Sequence, residues 1–224
     1  MFRAQSGNTS QDNSFFVGPV RTLVLTGAVA AILGGLLLVL GDFLGLVVGQ
    51  SGDTYTGTPI EKAMAVLFLV GKVLILIGIV GLYLRQAKSA GRFGLVAFLI
   101  ALTGTGLMIA SDWSEVFIAP ILQEVAPGLV ETNTPTLLIV GFVINYFTET
   151  LGWLLFGIAT FRARVLLRPA AILLAAGTLI PFSGISWSFV FWNAAIVWLG
   201  VAVLRGLARA PSLQTVRSEV VIQA

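Results

Sequence analysis

The chain of 224 residues contains no cysteine and no histidine. The first absence removes disulfides, thiolate-held iron–sulfur clusters and thiol relays. The second removes imidazole as a base and as a ligand for haem, zinc or a pigment's magnesium. Intramembrane metalloproteases and Ser–His proteases are excluded with it. Charge is scarce too: 10% of residues are Asp, Glu, Lys or Arg, where ordinary soluble domains carry about 25%. What remains supplies no metal set, phosphate loop or nucleophile–base pair, so no catalytic activity is expected.

Hydrophobic residues make up 57% of the chain. Apolar runs of about 20 residues, the length that crosses a hydrocarbon core, recur along nearly all of it. We expect an all-α, polytopic transmembrane bundle with six spans, at 21–41, 63–84, 93–111, 137–161, 169–186 and 188–205. The membrane domain would occupy 20–206, between a polar segment 1–19 and a polar tail 207–224. The opening "MFRAQSGNTSQDNSFFVGP" has no basic region leading into an apolar stretch. It does not resemble a cleaved signal peptide, so the first span is expected to stay as an anchor.

The few charges are sorted by side. Arg3, Arg21, Arg85, Lys88, Arg92, Arg162, Arg164, Arg168, Arg205, Arg209 and Arg217 all flank or join spans on one side, 11 of the 13 basic residues. The opposite connections hold Asp42, Asp53, Glu61, Asp112, Glu115, Glu124 and Glu131 against Lys62 alone. The positive-inside rule then places both termini in the cytoplasm. This topology accounts for the isoelectric point near 9.7, and no nucleic-acid partner is implied.

The spans also read as three related helical hairpins. Each outgoing span starts at an arginine (Arg21, Arg92, Arg168) and ends about 20 residues on in a polar–aromatic step, "GDF", "SDW" or "ISW". Each returning span ends in a similar run: "IGIVGLYLR", "FGIATFRAR", "LGVAVLRGLAR". In this register Asp42 matches Asp112, and both are expected to mark helix ends at the outer interface. Small residues supply packing seams: Gly27, Gly34 and Gly41 on span one, Gly71 and Gly78 on span two, and Gly94 to Gly104 on span three. Trp113, Trp187 and Trp192 are expected at the interface, with Trp153 and Trp198 deeper. The outer loop 112–136 carries Trp113, Phe117, Ile118, Ile121 and Leu122, an apolar cluster among acids. It is expected to form an interfacial helix broken at Pro120 and Pro127, and it is the first choice for a partner surface.

One charge lies inside a span. In "VLFLVGKVLILIG" Lys72 is surrounded by apolar residues and glycine. A central lysine costs about 2.5–3.5 kcal/mol on insertion, and each Leu, Ile, Val or Phe returns roughly 0.3–0.6. The 14 such residues between 63 and 84 let the span insert but do not explain the lysine. Span four offers a partner in "GFVINYFTETLGW", where Asn145 and Glu149 share a helix face. Counted from the outer ends of their spans, Lys72 lies about 14 Å deep and Glu149 about 18 Å. A Lys72–Glu149 ion pair is therefore expected, with Asn145 donating to the carboxylate and Asn193 as a third member. Such a pair is either a working site or a brace that fixes helix arrangement.

The layout, including "GWLLFGIATFRARVLLRPAAILL", resembles uncharacterised six-span bacterial membrane proteins grouped as domains of unknown function. The resemblance implies a multi-pass protein of a bacterial inner membrane and carries no activity or site residues. Two functional readings follow. The first is a non-catalytic accessory or scaffold subunit, bound to other membrane proteins or to its own copies, with lipid or a carotenoid-like pigment between its helices. The second is a small ion- or proton-coupled transporter or channel built on Lys72 and Glu149.

Overall fold

The computed structural model of the chain describes residues 9–48, 58–126, 136–183 and 189–208. Among these residues all regular structure is helical, with no strand. Helix α1 runs Thr9–Val48, and a helical run of 59 residues follows at Pro59–Phe117. Then come α3 (Ala119–Val125), α4 (Thr136–Ala163), α5 (Arg168–Gly177), a 3-10 turn (Ile180–Ser183) and α6 (Phe189–Ala208). Four helical stretches are long and apolar enough to cross a membrane: Gly18–Leu46, Pro59–Phe117, Thr136–Ala163 and Phe189–Ala208. Arg168–Phe182 is a shorter apolar stretch.

The 59-residue run would be about 88 Å long if straight, and it is not straight. Gly91 sits at φ 60 and ψ −155, a backbone region that L side chains do not tolerate. The break divides the run into arms α2a (59–90) and α2b (92–117). Contacts with α4 give their directions. Along α2a, Lys72 meets Glu149 and Gln86 meets Thr160, so this arm is parallel to α4. Along α2b, Ala101 backs Gly152 and Ser111 bonds Asn145, so this arm is antiparallel. The two arms therefore form a hairpin, with Tyr83 stacked on Phe98 at 4.3 Å between ring centroids.

Several expected boundaries shift. The connection at 85–92 is helical up to the glycine. The first helix begins well before residue 21, inside the segment 1–19 expected to be a polar stretch outside the membrane domain. The outer connection starts after Phe117, not at 112, because helix 92–117 runs on through "SDWSEVF". Pro120 opens α3 instead of breaking a helix, since proline suits the first turn, whose N–H groups lack intrahelical acceptors. Pro127, Trp187, Arg3, Arg209 and Arg217 lie outside the described residues. The start of α2a is legible in "TPIE": Thr58 Oγ1 accepts from Glu61 N at 3.3 Å, Thr58 N donates to Glu61 Oε2 at 2.9 Å, and Pro59 follows the cap.

Helix α1 lies between two antiparallel neighbours. Toward α2a the glycine seam sets the spacing: a Cβ on Gly27 would stand 2.5 Å from Gly81 Cα, and one on Gly34 would stand 2.7 Å from Gly71 O. Gly78 backs Ala31, and Gly41 receives the Phe68 ring. On its other side α1 meets α6, with Gly200 against Ala28 and Gly35 against Val197. Similar close approaches join α2b to α4 at Gly104–Glu149 and α5 to α6 at Gly177–Trp192. Between helices immersed in lipid there is no hydrophobic drive, and close dispersion contact of this kind is what would hold such a bundle together.

Large side chains point outward, among them Leu33, Leu36, Val66, Val96 and Leu99, each exposed. In water such a surface would aggregate, whereas hydrocarbon is its natural solvent. Replacing Gly91 by alanine tests the hairpin, because its Cβ would meet nothing within 4 Å and only the backbone conformation resists it. Gly91→Ala should lose about 1–3 kcal/mol. Gly106→Ala, equally open but in ordinary helix, should be neutral or gain up to about 1 kcal/mol. Thermal melts in detergent compare the two.

Candidate functional site

Lys72 and Glu149 meet in the bundle. Lys72 Nζ donates to Glu149 Oε1 at 2.5 Å, between α2a and α4 and 77 positions apart in the chain. Glu149 is 2% exposed and Lys72 is partly buried. The ammonium also lies 5.7 Å from the ring centroid of Trp192 on α6, a distance at which the aromatic face attracts a cation. Gly104 of α2b backs directly onto Glu149, where a Cβ would come within 2.4 Å of its backbone. The lysine thus holds the carboxylate, while Gly104 lets α2b press against the backbone that carries it.

The other expected members are placed differently. Asn145 does not donate to Glu149. Its Nδ2 donates to Ser111 Oγ at 2.9 Å and to Leu107 O at 3.4 Å, because at that height α4 faces α2b and not the lysine. Asn193 is buried and donates to Asp42 Oδ2 at 2.9 Å, tying α6 to the end of α1. The expected packing glycines Gly27, Gly34, Gly41, Gly71 and Gly78 all lie in the α1–α2a seam. Trp113, Phe117, Ile118, Ile121 and Leu122 are all exposed, along the end of α2b and on α3. Trp113 and Phe117 touch at 5.3 Å between ring centroids.

The ion pair opens onto a cavity of about 260 Å³ to which five helical segments contribute. Helix α1 supplies Leu38 and Asp42, and α2a supplies Phe68, Lys72 and Ile75. Arm α2b adds Met108, Asp112 and Glu115, while α4 adds Phe142, Tyr146, Glu149 and Trp153. Helix α6 closes the ring with Phe189, Trp192, Asn193 and Ile196. Trp153 is fixed by donating Nε1 to Thr105 Oγ1 at 3.0 Å, and its ring meets Trp192 edge-on at 6.1 Å. Tyr146 gathers Phe142 and Phe189 into an aromatic wall.

Two expectations are overturned here. Asp42 and Asp112 are not interface markers: both line the cavity, and Asp112 is 8% exposed. Trp192 is buried against the ion pair instead of standing at the interface. Glu115, another residue assigned to the loop, is exposed and stands at the rim. The signal for the acids was present in their matched spacing of about 20 residues from Arg21 and Arg92. What hid them was helix length, because each helix continues past the point where hydropathy falls.

The cavity lies at the acidic end of the bundle. The other end collects the arginines: Arg162 over the Phe93 ring, Arg168 over Phe161, and Arg85 beside Gly206. Among the described residues no group of three potential ligands is placed to hold a metal ion. Compared with models of known protein families, with curated proteins and with solved structures, the chain matches none.

Removing either member of the pair leaves the other charged and unpartnered. Lys72→Met and Glu149→Gln should each lose roughly 3 kcal/mol of stability. The double variant should lose less than the sum, with a coupling of about 1–3 kcal/mol. A thermal or denaturant double-mutant cycle reads the coupling, and strict additivity would mean that the contact contributes nothing.

Proposed function

We propose that the chain is a six-pass membrane protein with both ends in the cytoplasm that carries a small solute through the cavity beside Lys72 and Glu149. The passes would be α1, the two arms of the α2 hairpin, α4, α5 with its 3-10 turn, and α6. The fifth is short: Arg168–Phe182 covers about 22 Å as helix, under a hydrocarbon core of about 30 Å. Its course nevertheless favours a crossing, since Arg168 packs on Phe161 at the basic end of α4 and Phe182 reaches Tyr146 near the cavity. The segregation of arginines at one end supports the orientation through the positive-inside rule.

The observation that carries the functional reading is the cavity itself. A buried ion pair that only braced two helices would be enclosed by packed side chains. Here the pair forms part of the wall of a space large enough for a small ligand, shared by five helical segments and reaching the exposed Glu115. Intramembrane ionisable groups that line a cavity are the usual marks of a solute or ion pathway. The accessory-subunit reading draws on the short connections and the single buried pair, and contact with the membrane interface explains its candidate partner surface, the exposed apolar strip from Trp113 to Leu122, equally well.

In proteoliposomes, a panel of small amines, zwitterions, carboxylates and monovalent cations should include at least one solute that moves saturably. Glu149→Gln, if it remains folded, should reduce that flux at least tenfold. A folded protein that moves none of them returns the weight to the accessory role. Orientation has its own check, because a chain without cysteine accepts single reporters cleanly. Asp53→Cys should react with an impermeant maleimide in intact cells, and Lys88→Cys should react only after permeabilisation.

A further inference from the structure

The cavity's charges do not balance. Four carboxylates line it (Asp42, Asp112, Glu115 and Glu149), against the single ammonium of Lys72, and that ammonium is committed to Glu149. The other three form no ion pair among the described residues. Lys62, the other lysine on the acidic side, does not line the cavity, and segments 49–57, 127–135 and 184–188 contain no lysine or arginine. Asp112 is more than nine-tenths buried, lines the cavity, and its Oδ2 has no hydrogen-bond partner. A buried carboxylate oxygen without a donor is expensive and is rarely left so in a native protein.

Five observations narrow what would complete the site. No three carboxylates converge tightly enough to hold a metal ion among the described residues, so a bare divalent cation does not fit. The walls between the acids are aromatic, formed by Phe142, Tyr146, Trp153, Phe189 and Trp192, and so suit an apolar body. One of those faces already stands beside a cation, Lys72 over Trp192. A volume of about 260 Å³ is near the lower end for ligand pockets, which run from about 300 Å³ upward. Trp192 Nε1 is a second buried polar atom without a partner.

We infer that the cavity binds a small protonated amine with an apolar or aromatic body, its ammonium donating to Asp112 while its body lies against the tryptophans. This rests on the reading of the cavity as a solute site. Glu115, exposed at the rim, draws the cation in. The Lys72–Glu149 pair forms the floor, where the lysine repels a second cation and keeps the ammonium toward Asp112 and Asp42.

Three probes with one phenyl body separate charge from shape: 2-phenylethylammonium, 2-phenylethanol and phenylacetate. Isothermal titration of the full-length protein in detergent should show saturable one-to-one binding of the ammonium, at least tenfold tighter than the alcohol, and no binding of the carboxylate. Asp112→Asn should weaken the ammonium at least tenfold and leave the alcohol unchanged. Should that variant fail to fold, Glu115→Gln, at an exposed position, should still weaken the ammonium several-fold. If the alcohol or phenylacetate binds as well as the ammonium, or if the acid variants leave its affinity unchanged, the amine assignment is overturned while the cavity remains a solute site. If the folded protein binds none of the three, the amine assignment is overturned, and the flux panel alone decides whether the cavity is a solute site.

Discussion

An ammonium in a hydrocarbon layer must be answered by a carboxylate, and much of this structure follows from that demand. Lys72 projects from the middle of α2a and Glu149 from the middle of α4, and their contact lays the two helices side by side although 77 positions separate the residues. Their parallel course then sets the place of α2b. That arm must return beside α4, and Gly104 supplies the smooth surface that lets it press on the backbone of Glu149. The ion pair is costly to form, since two charges are stripped of water. Once formed it selects one arrangement of the helices over the others that lipid would tolerate equally.

Close contact does the rest of the holding. The seams between α1 and α2a, α1 and α6, and α2b and α4 all depend on glycine or alanine where backbones nearly touch. A protein in water drives apolar side chains together, but the outward leucines and valines of this chain are exposed and suit lipid. The interior therefore needs a different selection rule, and small residues that maximise dispersion contact provide it. Gly91 has another role. Nothing crowds it, and it is needed for its conformation, which turns one long helix into two arms.

The charge layout gives the bundle two unlike ends. Arginines gather at one, braced on aromatic faces, while the other holds a cavity with three acids besides the one in the ion pair. Tight small-residue seams close the bundle along the middle of its length. The cavity forms toward the acidic end, where aromatic side chains from α2a, α4 and α6 line the space between the helices.

Much of this was legible in the residues alone. A helical protein built for a bilayer follows from apolar runs, because lipid requires each backbone to satisfy its own hydrogen bonds. The glycine seams were visible from spacing, and the partnership of Lys72 with Glu149 from depth, since rise per residue in a helix is fixed. Depth along the axis says nothing about rotation around it, so Asn145 was assigned to the wrong neighbour. Helix ends were equally hidden: hydropathy falls before the helix stops, and Asp42 and Asp112 therefore read as boundary residues. Only the tertiary arrangement decided that five helical segments turn Asp42, Lys72, Asp112, Glu149 and Asn193 toward one space. That convergence depends on the rotation of each helix about its axis, which close packing sets and periodicity along a single chain does not.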